Sequence, residues 1–356
     1  MVRYITLSLF LILYYVPLTA QVNNINLSAD SNSHYTDFVI TGDTAWALTS
    51  TGRIITFNLR NGEAIHLPLN QDSGFVALAK DLQNHIVGGD KWHQIKLYDQ
   101  LNGTWNTLFR YDGSYWSILF DPQNNCYLTT PDGLYNDKHY YLPTLHEKDT
   151  QVRTNKWMRS PKTCVDAAGN IWLGFGFGEW GGSLNVFDPR TKKFLQLKGY
   201  HTTALPIQSI FKYGQHTIVT TGLMHMMTLS GAIVKYDGLS GSALLASGWS
   251  SQKKRDTVAM HNLYIGPGAF NPRDRRLYFY CHLGIFKAAI HQNLMHPANL
   301  IKVAEPRLHW SDGQPDAVGS PMNVQKMQFS DSGQLVLLTE LDGIVIFNGN
   351  HFTTIQ

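Results

Sequence analysis

Apolar residues along this chain fall in short runs broken by turns of Asp, Asn, Gly or Pro, and no segment sustains the 3.6-residue period of an amphipathic helix. The clearest unit lies between Asp166 and Asp188. There Asp-Ala-Ala-Gly-Asn leads into Ile171-Trp172-Leu173-Gly174, and Gly182-Ser183 leads into the alternating run Leu184-Asn185-Val186-Phe187-Asp188. The same order of apolar run, turn, second apolar run, glycine and aromatic-ended strand recurs seven times. The first turns fall at Gly42-Asp43, Gln83-Asn84, Asp121 to Asn125, Asp166 to Asn170, Tyr213 to Gln215, Asn271 to Asp274 and Asp331 to Gln334. The strands that follow end at Phe57-Asn58, Tyr98-Asp99, Tyr135-Asn136, Phe187-Asp188, Tyr236-Asp237, Phe286-Lys287 and Phe347-Asn348. Copies stand roughly 40 to 60 residues apart, which suits one blade each. The pattern therefore predicts an all-β fold, a seven-bladed β-propeller of four-stranded antiparallel blades.

No linker-like stretch divides the repeats, so residues 21–356 read as a single propeller domain in which each blade needs its neighbours to bury both faces. Blade seven has its own outermost strand at His351 to Ile355. A strand from Asn24 to Leu27 is available to close the ring, but the pattern does not demand it. Residues 1–20 read separately, as a signal peptide: Arg3 supplies a positive start, Ile5 to Val16 an apolar stretch, and Pro17-Leu18-Thr19-Ala20 a cleavage site before Gln21. A secreted or periplasmic location is expected, without a lipidated cysteine and without an integral membrane segment in the mature chain.

Composition narrows the partners. Net charge is +3 and the one basic run is Lys253-Lys254-Arg255, so neither nucleic acid nor an anionic bilayer is an expected main partner. Three cysteines, Cys126, Cys164 and Cys281, fall inside predicted strands and read as buried free thiols, with a Cys126 to Cys164 bridge left open. No spacing suggests zinc. Met224-His225-Met226-Met227 is a poor metal cluster because adjacent strand residues point to opposite faces. No cofactor or metal is expected, and a monomer is.

Through Asp166, Gly169, Asn170, Ile171, Trp172, Gly174, Gly182, Phe187 and Asp188, the fourth copy resembles the two-component regulator propeller repeat. The seventh copy is similar more distantly, through Asp331, Gly333, Leu335, Gly343 and Phe347, and Phe175 stands where the family usually has Thr. The resemblance implies an exported sensor-like propeller; such domains commonly form the periplasmic half of membrane-bound hybrid histidine kinases and are thought to respond to carbohydrate. This chain has no kinase part, so kinase activity is not implied. The shared residues themselves read as scaffold: Asp and Gly build the turn, while Ile171, Trp172 and Phe187 fill the space between blades.

Function is expected in what the repeats do not share. If each blade runs from an innermost strand outward, the loop after its second strand and the link to the next blade emerge on the face opposite the short first turns. That face collects Gly88 to Gln94, Phe175 to Gly181, Gly222 to Ser230 and the links Pro143 to Lys162, Ser247 to Asn262 and Ala304 to Met322. These segments hold Trp92, Trp157, Trp180, Trp249 and Trp310, accompanied by His93, Arg153, His225 and Arg255. Trp beside Arg and amide or carboxylate groups suits sugar rings or aromatic ligands. The alternative is that the tryptophans pack the loops down. The expected function is a non-enzymatic, secreted ligand-binding propeller, its ligand a carbohydrate or a surface protein. An exported hydrolase or lyase using His261, Asp256 and Glu305 in the same funnel is the second reading, although no blade carries the sialidase Asp box.

Overall fold

The computed structural model describes residues 22–25, 33–65, 74–143, 157–200, 204–225, 228–247, 262–306, 308 and 323–356. It is an all-β ring of seven antiparallel blades. The innermost strands are Tyr35–Thr41, Phe75–Lys80, Ser117–Phe120, Lys162–Val165, Ile207–Tyr213, Ile265–Asn271 and Val324–Phe329, and from each of them the antiparallel strands of the blade run outward in chain order; blade 5 also carries Lys198–Gly199, from before its innermost strand, in parallel outside Ser240–Ser247. Blade 1 is the abbreviated one: beyond its third strand, Ile54–Asn58, the described fourth position is a single bridge between Phe57 and Ala64.

The core is divided among the seams. Seven apolar clusters occur among the described residues, one between every pair of neighbouring blades. At the seam of blades 4 and 5, Trp172 and Tyr236 meet edge to face with centroids 5.0 Å apart. At the seam of blades 7 and 1, Leu338 and Ile344 pack on Phe38 and Phe57. Every blade thus depends on two neighbours, which is why the alternation is so uniform along the chain.

The repeated first turns are held by one device. Asp81 and Asp121 each place Oδ1 to accept two backbone N–H groups, from Gln83 and His85 and from Gln123 and Asn125, and Asp166 Oδ1 accepts the N–H of Asn170. Asp166 Oδ2 also accepts the Trp172 indole N–H at 2.8 Å, and Gly169 takes φ +88° in the turn. The motif residues of the fourth copy are therefore scaffold, with Ile171, Trp172 and Phe187 fully buried.

Ring closure differs from the expectation in register and hand. Val22–Ile25, two residues earlier than expected, pairs in parallel with Phe352–Ile355 as a fifth, outermost strand of blade 7. Blade 7 already has four strands of its own. The seam itself is joined by side chains: Lys326 Nζ donates to Asp37 Oδ1 at 2.7 Å, and Ser332 N–H to Asp43 Oδ1 at 3.1 Å.

Two segments expected as irregular loops are strand. Gly88 to Asp90 lie in Ile86–Asp90, and Gly222 to His225 continue His216–His225 into a hairpin with Thr228–Asp237. The glycines misled the sequence reading, because here they serve close approach and not turning. A Cβ on Gly88 would stand 2.6 Å from the Phe75 ring, and one on Gly222 would stand 2.0 Å from the Ile265 carbonyl oxygen of the next blade. The three cysteines are free, as expected; Cys126 and Cys164 sit in different seam clusters, so the alternative bridge is not formed.

Candidate functional site

Second-strand loops and inter-blade links share one face, tied by backbone bonds. Gly74 N–H donates to Gly52 O at 2.9 Å, Lys91 N–H to Gly74 O at 2.7 Å, Tyr111 N–H to His93 O at 2.9 Å and Glu340 N–H to Asn323 O at 2.8 Å. The first turns lie at the other ends of the same strands. The long-loop face is thus a knitted rim.

On blade 2 this rim presents Trp92, half exposed at 50%. Its turn is rigidly built. Asp90 Oδ1 accepts the N–H groups of Trp92 and Gln94, both at 2.9 Å, while Asp90 Oδ2 lies 3.0 Å from Lys96 Nζ in a buried ion pair. Tyr115, arriving from the next link, donates its hydroxyl to Asp90 O at 2.8 Å. His93 takes φ +68°, and its Nδ1 lies 2.8 Å from Gly113 O, which assigns the proton to Nδ1. His93 is therefore a clamp between turn and link, not a free ligand group. Lys91 Nζ stands 4.9 Å from the Trp92 ring centroid.

On blade 4 the loop after Ile171–Gly176 closes as a single 3-10 turn, Gly178–Trp180, which leaves Trp180 71% exposed. Phe177 N–H donates to Gly181 O at 2.8 Å and shuts the loop at its base. Glu179 is paired at 3.2 Å with His225 Nε2, carried by the tall hairpin of blade 5. His225 thus positions the Trp180 loop across a seam. Trp157 behaves differently. It is half buried, with its ring 5.2 Å from Phe175 and its N–H donated to Pro131 O at 2.7 Å, so it packs the link against blades 3 and 4. Beside it Met158 is 76% exposed, and Arg159 Nη1 donates to Gly176 O at 3.4 Å. Blade 4 accordingly combines an exposed indole, a thioether, a guanidinium and a carboxylate–imidazole pair.

Arg153, Trp249, Arg255 and Trp310 lie outside the described residues, as do Asp256 and His261 of the alternative catalytic set. Glu305 follows the outermost strand of blade 6, Ile301–Ala304, and is ion-paired with Lys302. That places it on the outer edge, away from the central channel. Among the described residues no group of three His, Cys, Asp or Glu side chains could hold a metal, and no helix is long and apolar enough to cross a membrane.

The sequence reading missed the channel mouth. Five innermost strands shift register near their starts, between Tyr35 and Asp37, Phe75 and Ala77, Ile207 and Ser209, Ile265 and Gly268, and Val324 and Lys326. Such bulges redirect side chains. An innermost strand also has one unpaired edge, and lysines of other blades cap it. Lys80 Nζ donates to Ile40 O at 2.9 Å, Lys326 Nζ to Phe38 O at 2.7 Å, and Lys162 Nζ to Gln325 O at 3.1 Å across the ring. The available signal was a lysine in each of the first strands Phe75–Lys80, Lys162–Val165 and Val324–Phe329.

No protein-family model and no curated protein sequence matches the chain. Solved structures do. The chain is similar to the β-propeller domain of Cps50 (Swd1) from Myceliophteria thermophila, at 13% identity and TM-score 0.55, covering 89% of this chain and 99% of that one. It is also similar to the computationally designed Ika8 protein, at 14% identity and TM-score 0.51, covering 93% and 87% of the two chains. Both likenesses concern the fold. Together with the strand order above, they establish a β-propeller, a fold that commonly mediates binding.

Proposed function

We propose that the protein is an exported, non-enzymatic β-propeller that binds carbohydrate through its long-loop face, with Trp92 and Trp180 as stacking platforms. One observation carries the reading: two large indoles stand exposed on turns that are otherwise locked by hydrogen bonds and ion pairs. An indole that exists only to pack loops lies against other rings, as half-buried Trp157 does against Phe175. An exposed one on a rigid turn loses little freedom when a ligand arrives, so most of its contact energy appears as affinity. Lys91 beside Trp92, and Arg159 and Glu179 near Trp180, supply the edge hydrogen bonds that a sugar ring needs once its apolar face is stacked. The likeness of the Asp166 to Asp188 unit to the sensor propellers of two-component regulators points the same way.

A glycan array followed by calorimetric titration tests the proposal. Trp92→Ala and Trp180→Ala are each expected to weaken binding by about tenfold or more, the equivalent of about 1.4 kcal/mol per decade. Binding left unchanged by both substitutions sinks the assignment of the site.

A further inference from the structure

We propose that the mouth of the central channel is a binding site for a small carboxylate anion, held between Lys162 of blade 4 and Lys326 of blade 7. The two lysines come from opposite sides of the ring, and Gln325 and Lys326 are consecutive, so the carbonyl that Lys162 reaches adjoins the residue bearing the second ammonium. Their roles differ. Lys326 is engaged on two sides, with Asp37 Oδ1 and Phe38 O each 2.7 Å away. Lys162 makes one bond, to Gln325 O at 3.1 Å, and among the described residues it forms no ion pair. An ammonium has three donors, so Lys162 keeps spare ones.

Charge argues in the same direction. Among the described residues Asp37 is the acid of this cluster, and it already serves Lys326 and accepts the Phe38 N–H at 2.8 Å. Among the described residues, two ammonium groups against one carboxylate leave one positive charge. The channel wets Lys162 yet surrounds it with protein. That desolvation pulls the Lys162 ammonium below the ordinary lysine value, with Asp37 opposing the shift and Lys326 adding to it. Both ammonium groups remain open to the channel, and a monovalent anion with two oxygens cancels the excess charge while taking one N–H from each lysine. A role limited to capping strand edges does not need a second cation this close, since Lys80 caps Ile40 O by itself elsewhere in the ring. None of these residues is among those proposed to hold carbohydrate, so the site does not depend on that reading.

The test is titration of the whole protein with sodium acetate at constant ionic strength, with chloride as the replaced salt and inorganic phosphate as a second arm, read by calorimetry and by thermal shift. Acetate is expected to bind saturably and to raise Tm. Lys162→Gln keeps a donor for Gln325 O but loses the charge and is expected to weaken acetate by roughly tenfold or more, while Lys162→Arg restores binding and Lys80→Gln leaves it unchanged. If Lys162→Gln is poorly folded, Lys326→Gln gives the same comparison. An equal response to chloride, tighter binding of phosphate than of acetate, or undiminished acetate binding by the folded glutamine variants overturns the proposal.

Discussion

Asp90 is where fold and function meet most closely. Its carboxylate is buried, pairs with Lys96 Nζ at 3.0 Å, and through Oδ1 holds the N–H groups of Trp92 and Gln94. Replacing it with Asn keeps the side-chain oxygen that shapes the turn but deprives the buried Lys96 of its carboxylate. Breaking such a pair by removing one partner costs about 3–5 kcal/mol, whereas the pair itself contributes far less against an apolar substitute. Asp90→Ala additionally releases two turn N–H groups, at about 1 kcal/mol each. We therefore expect Asp90→Asn to lose about 3 kcal/mol and Asp90→Ala about 5 kcal/mol. The double substitution Asp90→Asn with Lys96→Met is expected to recover most of the loss, because the charge that Asp90 balanced is gone. Urea unfolding followed by fluorescence measures this directly, since a changed midpoint at constant slope reports stability alone. The reasoning fails if Asp90→Asn costs under about 1 kcal/mol, or if the double variant is no more stable than the single one. A loosened Asp90 turn should also weaken ligand binding at Trp92 without touching the ligand.

Three further outcomes are expected. Asp43 is held below its usual value of 3.8, first by its bond with Ser332 and then, against the opposing effect of desolvation, by Arg60. Its stabilisation of the seam between blades 7 and 1 is thus present above that value and lost as pH falls through the lowered one. Acid unfolding of Asp43→Asn should show a shallower fall below pH 3.8 than the wild type, by under about 1 kcal/mol given the exposed Arg60; an unchanged acid limb contradicts this. Burial pushes the thiols of Cys126, Cys164 and Cys281 up to about 12, so none should react with a thiol reagent at pH 8 until denaturant is added. Native labelling of any of the three refutes that burial. Gly222→Ala drives a methyl group against the Ile265 carbonyl of the neighbouring blade and should cost about 1–3 kcal/mol in denaturant unfolding; a neutral result denies the close approach.

The architecture was legible because its signals are local and repeated. Asp81, Asp121 and Asp166 announce a tight turn by residue type, and the aromatic-ended strands behind them alternate cleanly. What was misread shares one physical cause. Glycine marks either a turn or a place where something lies flat on the backbone, and Gly88, Gly89 and Gly222 belong to the second kind. No single-sequence pattern separates the two without knowing which ring or strand arrives. The candidate site was half legible: Trp92 and Trp180 lie on the face expected for them, Trp157 is packed, and His93 and His225 hold loops in place. The lysines of the channel were invisible as a group. They are far apart in sequence, and only the closed ring brings Lys162 to Gln325.

Carbohydrate binding by exposed indoles on rigid turns of the long-loop face is the proposal on which the functional reading rests. The most direct measurement is calorimetric titration of an array-selected glycan into the wild type, into a Trp92→Ala/Trp180→Ala double variant, and into an Arg60→Ala variant on the opposite face. Saturable binding is expected from the wild type and the Arg60→Ala variant, with about a hundredfold loss or more in the double variant. Equal binding by all three, or binding by none, would contradict it.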